Sequence, residues 1–144
     1  METIVKTHVG AYGIMVNEDK IALVKKARGG YKGKLDLPGG GIEHTELPIE
    51  TLKRELMEEA GVKVKSYQLL DVTATNIVWE MEPDLWEDLH HIGILYLVEI
   101  ENEKLRSDAD GLDSEGANWY QINKLKEEEL SPFAKYAIKR LKEQ

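Results

Sequence analysis

The chain has 144 residues, 42% of them apolar and 32% charged, with a formal net charge of −8. That length and balance describe one water-exposed folded domain, not a disordered or membrane-embedded chain. The acidic excess disfavours nucleic-acid binding and an anionic membrane surface, and the absence of cysteine removes disulfides, thiolate nucleophiles and Cys-ligated zinc.

The opening METIVKTHVGAYG lacks the apolar region of a signal peptide, and no run approaches the roughly 18 apolar residues of a membrane helix. A single cytoplasmic domain over residues 1–144 is expected. HVGAYGIMV and KIALVKK are rich in β-branched residues and flank Asn17-Glu18-Asp19, which predicts a hairpin. GKLDLPGGG reads as a short strand running into a glycine loop. Pro48 to Ala60 reads as a helix: Leu47 precedes a proline, Pro48 suits the first helical position, and Gly61 suits the stop. VKVKSYQLLDVTATNIVW supplies one or two strands, and Glu80 to Asp88 an acidic loop around Pro83. HHIGILYLVEI, with few polar interruptions, is expected at the centre of the sheet. Glu101 to Glu115 is read as loop and ANWYQI as a last short strand. Ser131-Pro132 then caps a helix whose Phe133, Tyr136, Ala137 and Leu141 form an apolar face. NKLKEEEL and KRLKEQ are solvated helix faces. This order predicts an α/β fold, a mixed sheet covered by helices.

The 48–60 helix poses a problem of charge. At about 100° per residue, Ile49, Leu52, Leu56 and Ala60 fall on one stripe, and Glu55, Glu58 and Glu59 on the adjoining arc. Arg54 can pair with Glu50 or Glu58 one turn away. Like charges this close repel by a few tenths of a kcal/mol per pair on an open helix, and by more when partly buried. A hard divalent cation reverses the sign of that term, and the preceding glycines allow a backbone carbonyl to approach the same ion. A solvated acidic face remains the simpler reading of the carboxylates alone.

The spacing is more specific. Gly40, five residues, Glu46, seven residues, Arg54-Glu55-Leu56, one residue, Glu58-Glu59, one residue and Gly61-Val62 resembles the Nudix box of the MutT-like hydrolases at every fixed position. The resemblance implies an α/β/α sandwich with a mixed β-sheet between helices. It also implies a Mg²⁺- or Mn²⁺-dependent pyrophosphohydrolase acting on a nucleoside diphosphate linked to another moiety. Carried over by position, Glu55, Glu58 and Glu59 are metal carboxylates, Gly39 lends a carbonyl, Arg54 orients the glutamates and Glu46 supports them. Gly40 and Gly61 shape the loop and the helix end. A further acidic residue before a late strand serves many relatives as metal ligand or base; Glu115 is the first candidate here and Asp113 the second. Either Glu55 or Glu115 takes the proton of the attacking water.

Recognition of the rest of the substrate lies outside the box. Lys25, Lys26 and Arg28 are phosphate contacts or ordinary surface cations. Trp79 and Trp86 either stack a base or simply pack, and Trp119 is read as core. His90 and His91 point to opposite faces of one strand, so they cannot both line one site. Tyr12 and Asp36 are candidates to approach the pocket, and Leu35 stands where many relatives carry tryptophan. The expected substrate is a small nucleotide-type molecule, a nucleoside triphosphate first, then nucleotide sugars, dinucleoside polyphosphates or capped RNA. The expected protein is a monomer or homodimer. A non-catalytic nucleotide sensor is the alternative. An isomerase branch that shares the fold relies on a cysteine that this chain lacks. The sequence shows neither the extra upstream motif of the coenzyme A branch nor the cysteine zinc site of the NADH branch.

Overall fold

The structure, a computed structural model, describes residues 1–108 and 114–143. Strand β1 (Glu2–Ile14) is longer than the sequence pattern implies. The predicted hairpin is correspondingly smaller: β2 (Val16–Asn17) folds back on β3 (Lys20–Lys26) through a Glu18–Asp19 turn, with Glu18 at φ 58°. Strand β4 (Leu35–Asp36) pairs with β3. The glycine triplet is itself a strand, β5 (Gly39–Gly41), hydrogen-bonded antiparallel to β1, where a loop was expected.

Helix α1 (Pro48–Ala60) has the predicted bounds, and Gly61 ends it in the left-handed conformation at φ 68°. A single strand, β6 (Val64–Glu82), follows, and β7 (Leu85–Ile100) returns after only Pro83 and Asp84. The stretch from Glu80 to Asp88 is therefore strand and tight turn, not an acidic loop. Glu80 and Glu82 pair with β7, and Leu85–Asp88 is held from both sides, by β6 and by a parallel ladder to β1 that starts at Glu2 and Leu85. Those ladder bonds override the poor strand propensity of acidic residues. As expected, β7 is central, between β1 and β6.

Strand β8 (Ser114–Gln121) pairs with β3, so Glu115 lies in a strand and not in the predicted loop. Two short 3₁₀ turns at Ile122–Lys124 and Glu127–Glu129 stand where solvated helix was expected. Helix α2 (Pro132–Lys142) is capped as predicted, Ala134 N–H donating to Ser131 Oγ at 3.2 Å.

Among the described residues the strands form two sheets, one ordered β5-β1-β7-β6, the other built on β3, which pairs with β2, β4 and β8. Alternation along the strands divides the apolar side chains between two cores. Ile21 and Leu23 cluster with Tyr12, Leu95 and Phe133 of α2; Ala22 and Val24 cluster with Ala11, Leu52 and Leu56 of α1. The result is the α/β/α sandwich. Leu52 and Leu56 are fully buried, each contributing roughly 1.5–3 kcal/mol by leaving water. They pin α1 against the sheet and so fix where its acidic edge lies. Among the described residues no helix is long and apolar enough to cross a membrane.

Candidate active site

The site begins where β5 meets α1. Gly39 adopts φ +146°, and a Cβ there would stand 2.2 Å from the Ala11 carbonyl oxygen. Only glycine permits so close an approach of β5 to β1. A Cβ on Gly40 would stand 2.6 Å from the carboxyl carbon of Glu55, so the Glu55 carboxylate occupies the space that the missing side chain leaves. Glu59 is deeper than the helical wheel implies, only 2% exposed, and Gly39 N–H donates to its Oε1 at 2.7 Å. Glu58 is the outermost of the three, its side chain 50% exposed.

Arg54 ties this edge together. Its Nε donates to Glu46 Oε2 at 2.8 Å and its Nη2 to Glu46 Oε1 at 3.0 Å. Its Nη1 reaches Glu55 Oε1 at 2.9 Å and Glu58 Oε2 at 3.4 Å. These bonds lower Glu46 to a pKa of about 2, the Arg54 contact being the largest cause. Glu50, the other sequence-level candidate for Arg54, instead accepts Leu47 N–H at 2.7 Å and caps the helix.

Among the described residues no three His, Asp or Glu side chains converge as a preformed metal cluster; a guanidinium gathers Glu46, Glu55 and Glu58. The donor set still fits a hard divalent cation. It consists of carboxylate and carbonyl oxygens without sulfur, and Glu55 is seated against the bare backbone of Gly40.

This edge opens into a cleft of about 820 Å³. Gly39, Gly40, Gly41 and Glu55 form one wall. The floor is the far end of the β1-β7-β6 sheet, with Lys6 and His8 from β1, Glu87, Leu89 and His91 from β7, and Trp79 from β6. Another wall is the end of β3 and the segment that follows it, bearing Lys26, Arg28, Tyr31 and Lys32. A protein of net negative charge thus gathers a group of cations into the same cleft as Glu55.

His91 lies at the bottom, 4% exposed. Its Nε2 is 2.6 Å from the Tyr12 hydroxyl and its Nδ1 3.0 Å from the Tyr31 hydroxyl. Burial lowers its pKa to about 3, with His8 and Lys26 adding to the shift. The imidazole is therefore neutral, one nitrogen donating and the other accepting. Burial and the nearby Asp36 carboxylate raise Tyr12 and Tyr31, which stay protonated. Tyr31 belongs to the cationic wall, so this triad fastens that wall to the floor.

The sequence candidates divide accordingly. Gly39, Glu55, Arg28, Trp79, Tyr12 and Asp36 line the cleft, with Lys26 beside them. Arg54, Glu58 and Glu59 adjoin it through the contacts above. Trp86 and Lys25 are not among the lining residues. Trp86 is level with Thr3 and Glu80 in the sheet, and Lys25 pairs instead with Glu115 at 4.0 Å across β3 and β8. Asp113 lies outside the described residues. His90 and His91 do face opposite ways, and it is His91 that enters the cleft. Trp119 is only partly buried, at the margin of the α1 core. Leu35 is buried in the α2 core. Lys6, His8, Lys32 and Glu87 were not anticipated. Once His91 is placed, the two-residue period points to Leu89 and Glu87 on the same face. The β1–β7 register, in which His8 is level with His91 and Lys6 with Leu89, is not visible in sequence.

Two helices enclosing a mixed β-sandwich, with an acidic helix edge packed on a glycine strand, define the Nudix class of fold. The family model described as the NUDIX domain matches residues 6–141, and the chain belongs to the Nudix hydrolase family. It is 31% identical over 117 residues to the ADP-ribose pyrophosphatase of Methanocaldococcus jannaschii, covering 81% of this chain and 63% of that one. It is 39% identical over 88 residues to diphosphoinositol polyphosphate phosphohydrolase 3-alpha of Mus musculus, covering 53% of this chain and 52% of that one. The chain thus spans about half to somewhat under two thirds of these relatives' lengths. The fold resembles that of a MutT NUDIX hydrolase from Burkholderia pseudomallei, with a TM-score of 0.76 at 23% identity over 94% of this chain and 98% of the other.

Proposed function

We propose that this chain, acting as one domain, hydrolyses the phosphoanhydride of a nucleoside diphosphate linked to a further moiety, with Mg²⁺ or Mn²⁺ as cofactor. The observation that carries this is the presence in one cleft of the Glu55–Gly40 edge together with Lys26, Arg28 and Lys32. A polyphosphate needs cations at the carboxylate edge as well, and there Arg54 is already engaged by Glu46, Glu55 and Glu58. Glu55, Glu58 and Glu59, with the Gly39 carbonyl, are the residues that would hold the divalent ion. When bound, it neutralises phosphate charge and makes a bound water more acidic.

The chain's own groups supply the rest. Glu55, already inside the cleft, takes a proton from water as the water oxygen bonds to phosphorus. The bridging P–O bond breaks and its electron pair leaves with the departing phosphate, which the cationic wall stabilises. Glu115 is the less favoured base, because Lys25 engages it outside the cleft. Arg54 holds Glu55 and Glu58 in place.

Nucleoside triphosphates stood first on sequence grounds. The 31% identity to an ADP-ribose pyrophosphatase moves nucleoside diphosphate sugars ahead of them. The proposed setting is the cytoplasm, as monomer or homodimer. The test is incubation with ADP-ribose and Mg²⁺, with products identified by mass. The expected products are AMP and ribose 5-phosphate, abolished by excess EDTA and restored by Mg²⁺. Tight binding of ADP-ribose without turnover, unchanged in Glu59→Gln, would instead establish a nucleotide sensor.

A further inference from the structure

Glu87 has no part in the chemistry above, yet its position is unusual. It lies on the floor of the cleft, 7% exposed, at the end away from the glycine strand. Trp79, directly across the β6–β7 ladder, donates Nε1–H to Glu87 Oε1 at 2.8 Å. Trp79 is itself held from above, since a Cβ on Gly30 would stand 3.2 Å from its Cδ1. The carboxylate is thus largely withdrawn from water. Burying it costs free energy unless donors satisfy it, and one indole N–H uses only part of its capacity as an acceptor.

The sheet register gives the cleft a ruler. His8, level with His91, packs against Gly41, where a Cβ would stand 2.5 Å from His8 Cε1. That is the reacting end. Lys6, level with Leu89, comes next along the floor, and Glu87 two residues further. From His91 to Glu87 is four residues of strand, about 13 Å at roughly 3.3 Å per residue. The order of charge along the floor is therefore catalytic edge, cation, anion. A substrate phosphorylated along its whole length meets repulsion at the last position. A diphosphate carrying a neutral, donor-rich end matches all three.

We infer that Glu87, braced by Trp79, reads a neutral hydrogen-bond-donating end of the substrate, a ribose diol or an exocyclic amine, and so selects nucleotides over phosphate-crowded polyols. This rests on the hydrolase reading for its kinetic readout but not for its binding readout.

The test compares the full chain with its Glu87→Gln variant, which keeps the shape and the acceptor for Trp79 but removes the charge. The probes are ADP-ribose, its inosine counterpart, the analogue with a deoxyribose on the adenosine side, and a diphosphoinositol polyphosphate. Hydrolysis is followed with Mg²⁺, and equilibrium binding by calorimetry with Ca²⁺ in its place. Wild-type protein is expected to prefer ADP-ribose to the diphosphoinositol compound. Glu87→Gln should lose tenfold or more in kcat/KM for ADP-ribose, mostly through KM, and gain on the diphosphoinositol compound. A drop with the inosine probe assigns the contact to the amine; a drop with the deoxyribose probe assigns it to the diol. If no probe is turned over but ADP-ribose binding weakens tenfold in the variant, the hydrolase reading fails and this inference stands. Equal binding of every probe by both proteins would overturn it. So would a preference of wild type for the diphosphoinositol compound. Thermal melting of the variant separates misfolding from loss of recognition, and the inosine and deoxyribose comparisons on wild-type protein need no variant.

Discussion

Arg54 and Glu46 clasp each other through two parallel contacts, Nε to Oε2 at 2.8 Å and Nη2 to Oε1 at 3.0 Å. The fork leaves Nη1 aimed at Glu55 and Glu58, so one guanidinium sets the direction of two proposed metal carboxylates. Lysine offers a point charge and no fork. Arg54→Lys is expected to lower turnover by roughly 10–100-fold, the usual effect of losing a residue that orients metal ligands, while the circular dichroism spectrum stays that of the parent.

The same pair sets an acid limit. Glu46 is held at a pKa of about 2, below its ordinary 4.5. In the unfolded chain it binds a proton at higher pH, so its contribution to stability is fully present above about pH 4.5 and is lost as pH falls through 2. Denaturation midpoints of wild type and Glu46→Gln are expected to differ most above pH 4.5 and to converge toward pH 2. A constant gap across that range would mean the clasp does not titrate with folding.

His91 gives a second window. Its folded pKa of about 3 lies below the ordinary 6.5, so the unfolded state takes up the proton first as pH falls. The neutral imidazole's contribution is complete above pH 6.5 and is lost progressively toward pH 3. Between pH 6.5 and 4.5, before Glu46 begins to titrate, wild-type melting temperature is expected to fall more steeply than that of His91→Gln. Parallel slopes would contradict the buried neutral assignment.

The two adjacent glycines separate folding from function. Alanine at position 39 meets backbone, the Ala11 carbonyl oxygen at 2.2 Å, and holds a positive φ that L-residues avoid. Gly39→Ala is expected to destabilise by about 2 kcal/mol or more. For alanine at position 40 the nearest atoms are those of the Glu55 carboxylate, a side-chain end that can shift at the cost of its Arg54 contact. Gly40→Ala is therefore expected to melt within a few degrees of wild type, about 1 kcal/mol, yet to lose most activity. Chemical denaturation beside a turnover assay distinguishes the two.

Much of this was legible in the sequence because it is local. Pro48 and Gly61 bracket α1, Ser131-Pro132 starts α2, and the box spacing brings Glu55, Glu58 and Glu59 to one helix edge. What was not legible depends on pairing between distant strands. The acidic stretch from Glu80 to Asp88 looks like a loop until β1 lies beside Leu85 and supplies its ladder. Glu87, Lys6 and His8 become neighbours only through that register. Helical spacing puts Glu59 at the helix margin, and its burial follows from how closely a side-chain-free β5 packs on α1.

The proposed hydrolysis requires the oxygen ligands at the Glu55–Gly39 edge to hold a divalent cation. The most direct test is a Mn²⁺ titration followed by electron paramagnetic resonance, for wild type and Glu59→Gln, with folding checked by circular dichroism. Saturable binding by the wild type, weakened roughly tenfold or more in the folded variant, is the expected result. Equal binding by both proteins, or none by either, would contradict it.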